Sequence, residues 1–86
     1  MSYRLTLKGS AQKEFMRLPE AARAQVAAEL DMLPPNPRPV GVKTLGGPLK
    51  GLMRIRVGDY RVVYQVDDKE RQIIVTRVRH RSKAYR

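Results

Sequence analysis

The 86-residue sequence predicts a small α+β domain. An N-terminal strand and a helical hairpin pack on one face of a small, mostly antiparallel four-stranded sheet, and a short C-terminal tail or helical turn follows. Three observations predict this arrangement. Residues 53–66 form two β-rich runs around Gly58-Asp59, a two-residue turn signal whose glycine accepts positive φ. Residues 11–33 carry apolar side chains spaced 3 and 4 apart, the mark of amphipathic helices. Residues 72–79 make a further β-rich run after a polar loop.

Taken in order, residues 3–8 alternate and are short, as a first strand does. Gly9-Ser10 breaks that pattern, and Ser10 is a candidate N-cap for a helix starting at Ala11. Ala11, Phe15 and Leu18 give this helix one apolar stripe, and Leu18-Pro19 ends it. Pro19 suits the first turn of a second helix, whose stripe is Ala22, Val26, Leu30 and Leu33. Met16 and Met32 belong to the core or its flank. The prolines at 34, 35, 37 and 39 stop the second helix. Residues 41–49 read as an ordered but irregular connection with a turn at Gly46-Gly47-Pro48.

The two-residue turn fixes the hairpin register: Val57 faces Tyr60, Arg56 faces Arg61, Ile55 faces Val62 and Met53 faces Tyr64. Met53, Ile55, Val57, Tyr60, Val62 and Tyr64 then share an apolar face, and Arg54, Arg56 and Arg61 share the other. If Val66 pairs near Gln72 in the next strand, Arg61 lies opposite Arg77. Arg79 then follows on the same face, and Ile74, Thr76 and Val78 turn to the core. The whole chain, residues 1–86, is read as one domain.

Composition bounds the function. There are no cysteines, so disulfides and thiolate metal sites are excluded. No apolar run approaches the roughly 18 residues of a membrane span, and the N-terminus lacks the apolar core of a signal peptide, so a cytoplasmic protein is expected. The net charge is +10 and the pI about 10.7. Residues 71–86 carry Arg71, Arg77, Arg79, Arg81, Lys83 and Arg86 with no acid. Such a domain binds a polyanion, nucleic acid first and an acidic protein second. Membrane binding is not expected, because these cations lie on strands and not on an amphipathic helix.

Like charges directly opposite on a sheet destabilise by roughly 0.2–1 kcal/mol per pair. Fold stability alone would not place Arg56 against Arg61 with Arg54 beside them. A multiply charged anion resting there accounts for the choice, since guanidinium matches phosphate oxygens in bidentate geometry. The other reading is a solvated face whose stems cover apolar surface. With one histidine and no cysteine, metal ligands are lacking, no Ser/His/Asp set has an address, and no phosphate-loop glycine spacing occurs. Phosphate chemistry without metal or other cofactor remains. RNA brings its own nucleophile, the 2′-hydroxyl, and needs in-line orientation, cations on the developing charge and a proton for the leaving 5′-oxygen. Arg54, Arg56 and Arg61 suit the charge role, with Lys43, Lys50, Arg77 and Arg79 as further phosphate contacts. His80, Arg81 and Tyr85 leave the last strand beside them. His80 is the natural proton carrier by residue type, although a lone histidine at a strand end also serves as a packing residue. Tyr85 is either a C-terminal anchor or a surface for stacking a base.

The run Arg54-Ile55-Arg56-Val57-Gly58-Asp59-Tyr60-Arg61-Val62-Val63-Tyr64, with Lys43-x-Leu45 before it and Val78-Arg79-His80-Arg81-x-x-x-Tyr85 after it, resembles the RelE/ParE superfamily of bacterial toxins, and within it the RelE branch. The resemblance spans essentially the whole chain. It implies a RelE-like fold and the toxin of a type II toxin–antitoxin system, an endoribonuclease that enters the A site of the 70S ribosome and cuts mRNA there. It also implies neutralisation by an acidic, RelB-type antitoxin that wraps the toxin. By the same resemblance Arg61 stabilises the phosphate charge, while Arg81 and Tyr85 serve leaving-group protonation and substrate orientation. One departure stands out. Family members often carry lysines where this strand has Arg54 and Arg56, and guanidinium, unlike a lysine amine, effectively never gives up its proton. The general-base role would then fall to His80, Tyr85 or Lys50, with His80 the choice made here. A ParE-like gyrase poison, a non-catalytic RNA- or ribosome-binding module, and an inactive family member remain the alternatives.

Overall fold

The computed structural model describes residues 2–84, so the expectations for Tyr85 lie outside the described residues. In chain order the elements are β1 (Arg4–Leu7), α1 (Gly9–Met16), α2 (Glu20–Met32), β2 (Lys43–Thr44), a 3-10 turn (Gly47–Leu49), β3 (Met53–Val57), β4 (Tyr60–Asp67) and β5 (Gln72–His80). The sheet order is β1-β5-β4-β3-β2, with β1 parallel to β5 and every other pair antiparallel. The sheet has five strands where the sequence predicts four. The extra one, β2, is two residues long and pairs Lys43 with Arg54 and Thr44 with Met53. Nothing in so short a segment shows period 2.

Both helices bury the stripes their spacing predicts. Ala11, Leu18, Val26, Leu30 and Leu33 join Ile55, Val57, Val62, Tyr64, Ile73, Val75 and Val78 in one core, and Phe15, Ala22, Met53 and Tyr60 pack against it. Met16 and Met32 are exposed flank residues. α1 starts at Gly9, with Lys8 as N-cap and no side-chain cap, so Ser10 lies within the first turn and is not the cap. The cause is the sheet: the Lys8 N–H still donates to the Val75 carbonyl at 2.8 Å, and the chain turns into the helix directly after that bond. Pro19 is the N-cap of α2, one position before the first turn, with φ −53° as its ring requires.

The β3–β4 register matches the sequence expectation pair for pair. Gly58 has φ +59°, the conformation that this turn demands. The β4–β5 register differs in two steps. Asp67, not Val66, pairs with Gln72, one position off the expected register. A β-bulge then leaves Val63 opposite Arg77 while Tyr64 stays opposite Val75, so Thr76 is the extra residue. Its Oγ1 donates to the Val63 carbonyl at 3.2 Å, which stitches the bulge. The two slips restore the original parity by Arg77, so Val78 is in the core as expected. Between them the parity is inverted, and Ile73 and Val75 are the buried residues instead of Ile74 and Thr76. Arg61 accordingly faces Arg79, not Arg77.

The proline-rich segment is fastened down. The Tyr64 hydroxyl donates to the Pro37 carbonyl at 2.7 Å. Arg38 grips Asp68 through two nitrogens at 2.8 and 3.1 Å, and the Tyr3 hydroxyl donates to the same carboxylate at 2.5 Å. Arg38 first, then Tyr3, hold the Asp68 carboxyl down at about 2. Burial pushes the Tyr64 phenol up to about 12. No helix among the described residues is long and apolar enough to cross a membrane.

Candidate nucleic-acid interface

Helices cover one side of the sheet, so period 2 assigns the other side its residues. Across β3, β4 and β5, Arg56, Arg61 and Arg79 stand in direct register. One step along, Lys43, Arg54, Val63 and Arg77 stand in register across β2 to β5. With strands about 4.8 Å apart, these two rows gather six cations on one face. The bulge at Thr76 makes the second half of the array possible, because it returns Arg77 and Arg79 to the face that Arg54, Arg56 and Arg61 occupy.

The cations differ in environment. Arg56 is exposed, while Arg54 is nine-tenths buried and its Nε has no hydrogen-bond partner. Burying a charged group without compensation costs several kcal/mol. A solvated face therefore does not describe Arg54. Arg54, Arg56 and Lys43 line a cleft of about 450 Å³ together with Glu29 and residues 39–41. Arg61 curls back on the hairpin turn, its Nη1 donating to the Tyr60 carbonyl at 2.9 Å and the Gly58 carbonyl at 3.2 Å. The Arg77 Nη1 donates to the carbonyl of the buried Ala84 at 3.1 Å, which ties the segment after β5 to this strand.

Arg79 reaches the open edge of β5. β1 pairs with β5 only as far as Val75, so among the described residues the edge beyond has no strand partner, and α1 lies along it. There Glu14 of α1 accepts the Val78 N–H at 3.1 Å through Oε1 and the Arg79 Nε–H through Oε2. Sequence reasoning missed Glu14. A faint signal exists: Glu14 stands 3 after Ala11 and 4 before Leu18, an acid on the apolar stripe of a helix.

His80 is not where the sequence expectation put it. It pairs with Tyr60, whose partner Val57 is a core residue, so its ring lies on the helix side. It meets the Tyr60 ring edge-on, with centroids 5.6 Å apart and an interplanar angle of 87°. Its Nδ1 accepts the Ser82 N–H at 3.3 Å and lies 3.0 Å from the Ser82 hydroxyl. His80 and Arg79 do share a cleft with Glu14 and Leu18, but Arg54, Arg56 and Arg61 do not line it. The expected grouping of His80 with those three is therefore corrected: strand alternation turns the imidazole away from them. Arg81 is exposed just past β5, held by its N–H to the Asp59 carbonyl at 2.8 Å. Lys50 is exposed at the end of the 3-10 turn, outside both rows.

Comparison with known proteins agrees with this architecture. The family model described as ParE toxin of type II toxin–antitoxin system, parDE, matches residues 5–85. Toxin RelE of Mycobacterium tuberculosis is 38% identical over 85 residues, covering 98% of this chain and 87% of that protein. Toxin RelG of the same organism is 32% identical over 87 aligned residues, covering 100% of this chain and 99% of that protein. Among solved structures, the archaeal RelE–RelB complex from Pyrococcus horikoshii superposes with a TM-score of 0.82 at 32% identity, covering 98% of this chain and all of that one. The isolated Escherichia coli RelE toxin gives 0.80 at 30% identity, covering 99% and 87%.

Proposed function

This chain belongs to the ParE toxin family of type II toxin–antitoxin systems and is a RelE-like toxin, and from that premise we propose that it is a metal-independent endoribonuclease that cleaves mRNA in the ribosomal A site. The observation that carries the proposal is the in-register row Arg56–Arg61–Arg79, beside the buried Arg54. Such a row is costly to the fold and suited to a phosphodiester. In this reading the RNA backbone lies along the two rows. The 2′-hydroxyl attacks the adjacent phosphorus, forming a 2′,3′-cyclic phosphate and releasing the 5′-oxygen. Arg61 and its row neighbours take up the charge on the equatorial oxygens. Lys43, Arg54, Arg77 and, from the loop, Lys50 hold flanking phosphates. Arg81 orients the scissile phosphate, Tyr85 gives the leaving 5′-oxygen its proton, and the proton of the attacking 2′-hydroxyl passes to solvent. His80 supports the tail that carries them, through Ser82. The partner that silences the site is an acidic RelB-type antitoxin, whose carboxylates would compete for the same arginines; RelE–RelB complexes are among the solved structures of similar toxins.

The test is primer extension on mRNA programmed into purified ribosomes, with the Arg61→Ala form as control. Cuts confined to the A-site codon and absent with Arg61→Ala support the proposal. An intact message refutes it. The matching family carries the ParE description, so a gyrase poison is the second reading, and a DNA-supercoiling assay decides that case.

A further inference from the structure

We propose that Glu14 is a positioning residue for the RNA-binding row, acting through Arg79; this rests on the reading that the row binds RNA. Two oxygens of one carboxylate do two different tasks. Oε1 accepts the Val78 N–H at 3.1 Å, satisfying a backbone donor on an edge where β1 has already ended. Oε2 holds the Arg79 Nε–H. A guanidinium gripped by its inner nitrogen is fixed in plane and rotation. The Nη1/Nη2 pair of a guanidinium is the edge whose geometry matches two phosphate oxygens. Both partners are mostly buried, with side chains 23% and 30% exposed, so the pair is poorly screened by solvent and holds its geometry.

The position of Arg79 explains why such a hold is needed. It is the last of three arginines in direct register, and Arg61 is its cross-strand neighbour. Without a counter-charge, mutual repulsion would splay the end of the row. Glu14 brings a counter-charge from the helix side. It also ties α1 to the strand end from which Arg81 departs. Glu14 itself touches neither substrate nor the reacting atoms.

The test uses the full chain with Glu14→Gln, Arg79→Gln and the double variant. Glutamine keeps an oxygen for the Val78 N–H and removes only the charge on Arg79, and urea unfolding verifies that the variants remain folded. Two readouts apply. The first is the salt dependence of binding to a short single-stranded RNA fully 2′-O-methylated against cleavage. The second is the single-turnover cleavage rate on programmed ribosomes. Arg79→Gln should reduce the salt slope by about 0.7, one phosphate contact on a single strand. Glu14→Gln should move the slope in the same direction and slow cleavage by about 10-fold, within the roughly 100-fold that misplacing a positioning group by 1 Å can cost. The double variant should match Arg79→Gln alone. A wild-type slope and rate for Glu14→Gln would overturn the inference. Additive losses in the double variant would overturn it too, by showing a purely structural role. So would an Arg79→Gln form that binds and cuts like the parent. A parent protein that binds RNA without cutting mRNA would sink the endonuclease proposal instead, and the slopes would still judge Glu14.

Discussion

Replacing Arg56 with glutamine should make the protein more stable and a worse toxin. Arg56 and Arg61 are direct cross-strand partners, and Arg56 is exposed, so the substitution removes one like-charge pair without opening a cavity. Relief of such a pair is worth about 0.2–1 kcal/mol. For a domain of this size that raises Tm by about 1–8 °C at low ionic strength. The gain should fade with salt, because the screening length falls from about 10 Å at 0.1 M to about 3 Å at 1 M. Thermal unfolding of Arg56→Gln and parent at both ionic strengths measures it. Arg4→Gln serves as control, since it removes the same charge at the opposite edge of the sheet. RNA binding by the Arg56 variant should lose about 0.7 from its salt slope. The reasoning fails if Arg56→Gln is destabilised at low salt, if its gain survives at high salt, or if Arg4→Gln gains as much.

Other outcomes follow from the remaining contacts. Asp68 titrates at about 2 when folded, below its ordinary value of 3.8, so its contribution is complete above about pH 4 and is lost as pH falls toward 2. Urea midpoints of Asp68→Asn should therefore lack part of the parent's acid dependence in that window. Tyr64 is held protonated up to about 12, so stability should decline as pH rises from 10, where the unfolded phenol ionises, toward 12. Tyr64→Phe should flatten that alkaline limb and cost about 1 kcal/mol at neutral pH through the Pro37 carbonyl left without its donor, read by urea unfolding. Gly58→Ala places a side chain at φ +59° and should cost about 1–2 kcal/mol by the same measurement. His80→Ala should slow cleavage by loosening Ser82 while leaving the shape of the pH–rate profile unchanged; loss of a limb near neutrality would return the proton-transfer role to the imidazole.

The sequence made the β3–β4 hairpin legible to the residue, because a two-residue turn leaves a single register in which Met53, Ile55 and Val57 face Val62 and Tyr64. Both helical stripes were equally plain, being set by the 3.6-residue repeat alone. β5 was not, since its longer connection permits several registers and a bulge has no local spelling: Thr76 looks like any other strand residue. His80 was misplaced relative to the arginines because chain proximity to Arg79 and Arg81 says nothing about which side a strand's last residue takes. The Glu14–Arg79 pair joins positions 65 apart in the chain, and only the ending of β1 at Leu7 creates the open edge that Glu14 fills. Arg54 was legible as a cation on the right face, whereas its burial follows from residues drawn in from elsewhere.

The bulge at Thr76 has a consequence for how this small protein can change. It acts as a phase shifter between two halves of one strand. Residues 72–75 keep time with the core, and residues 77–80 keep time with the arginine rows, so neither half dictates the pattern of the other. Kept without its bulge, that residue would force one alternation on the whole strand, burying Arg77 and Arg79 or expelling Ile73 and Val75; deleted, it would leave Arg77 opposite Val63 directly after Val75 opposite Tyr64, with every side chain on its present face. A point substitution at Thr76 tests a hydrogen bond; a one-residue deletion there would test whether a regular strand, without the bulge, carries the same core and the same charged surface.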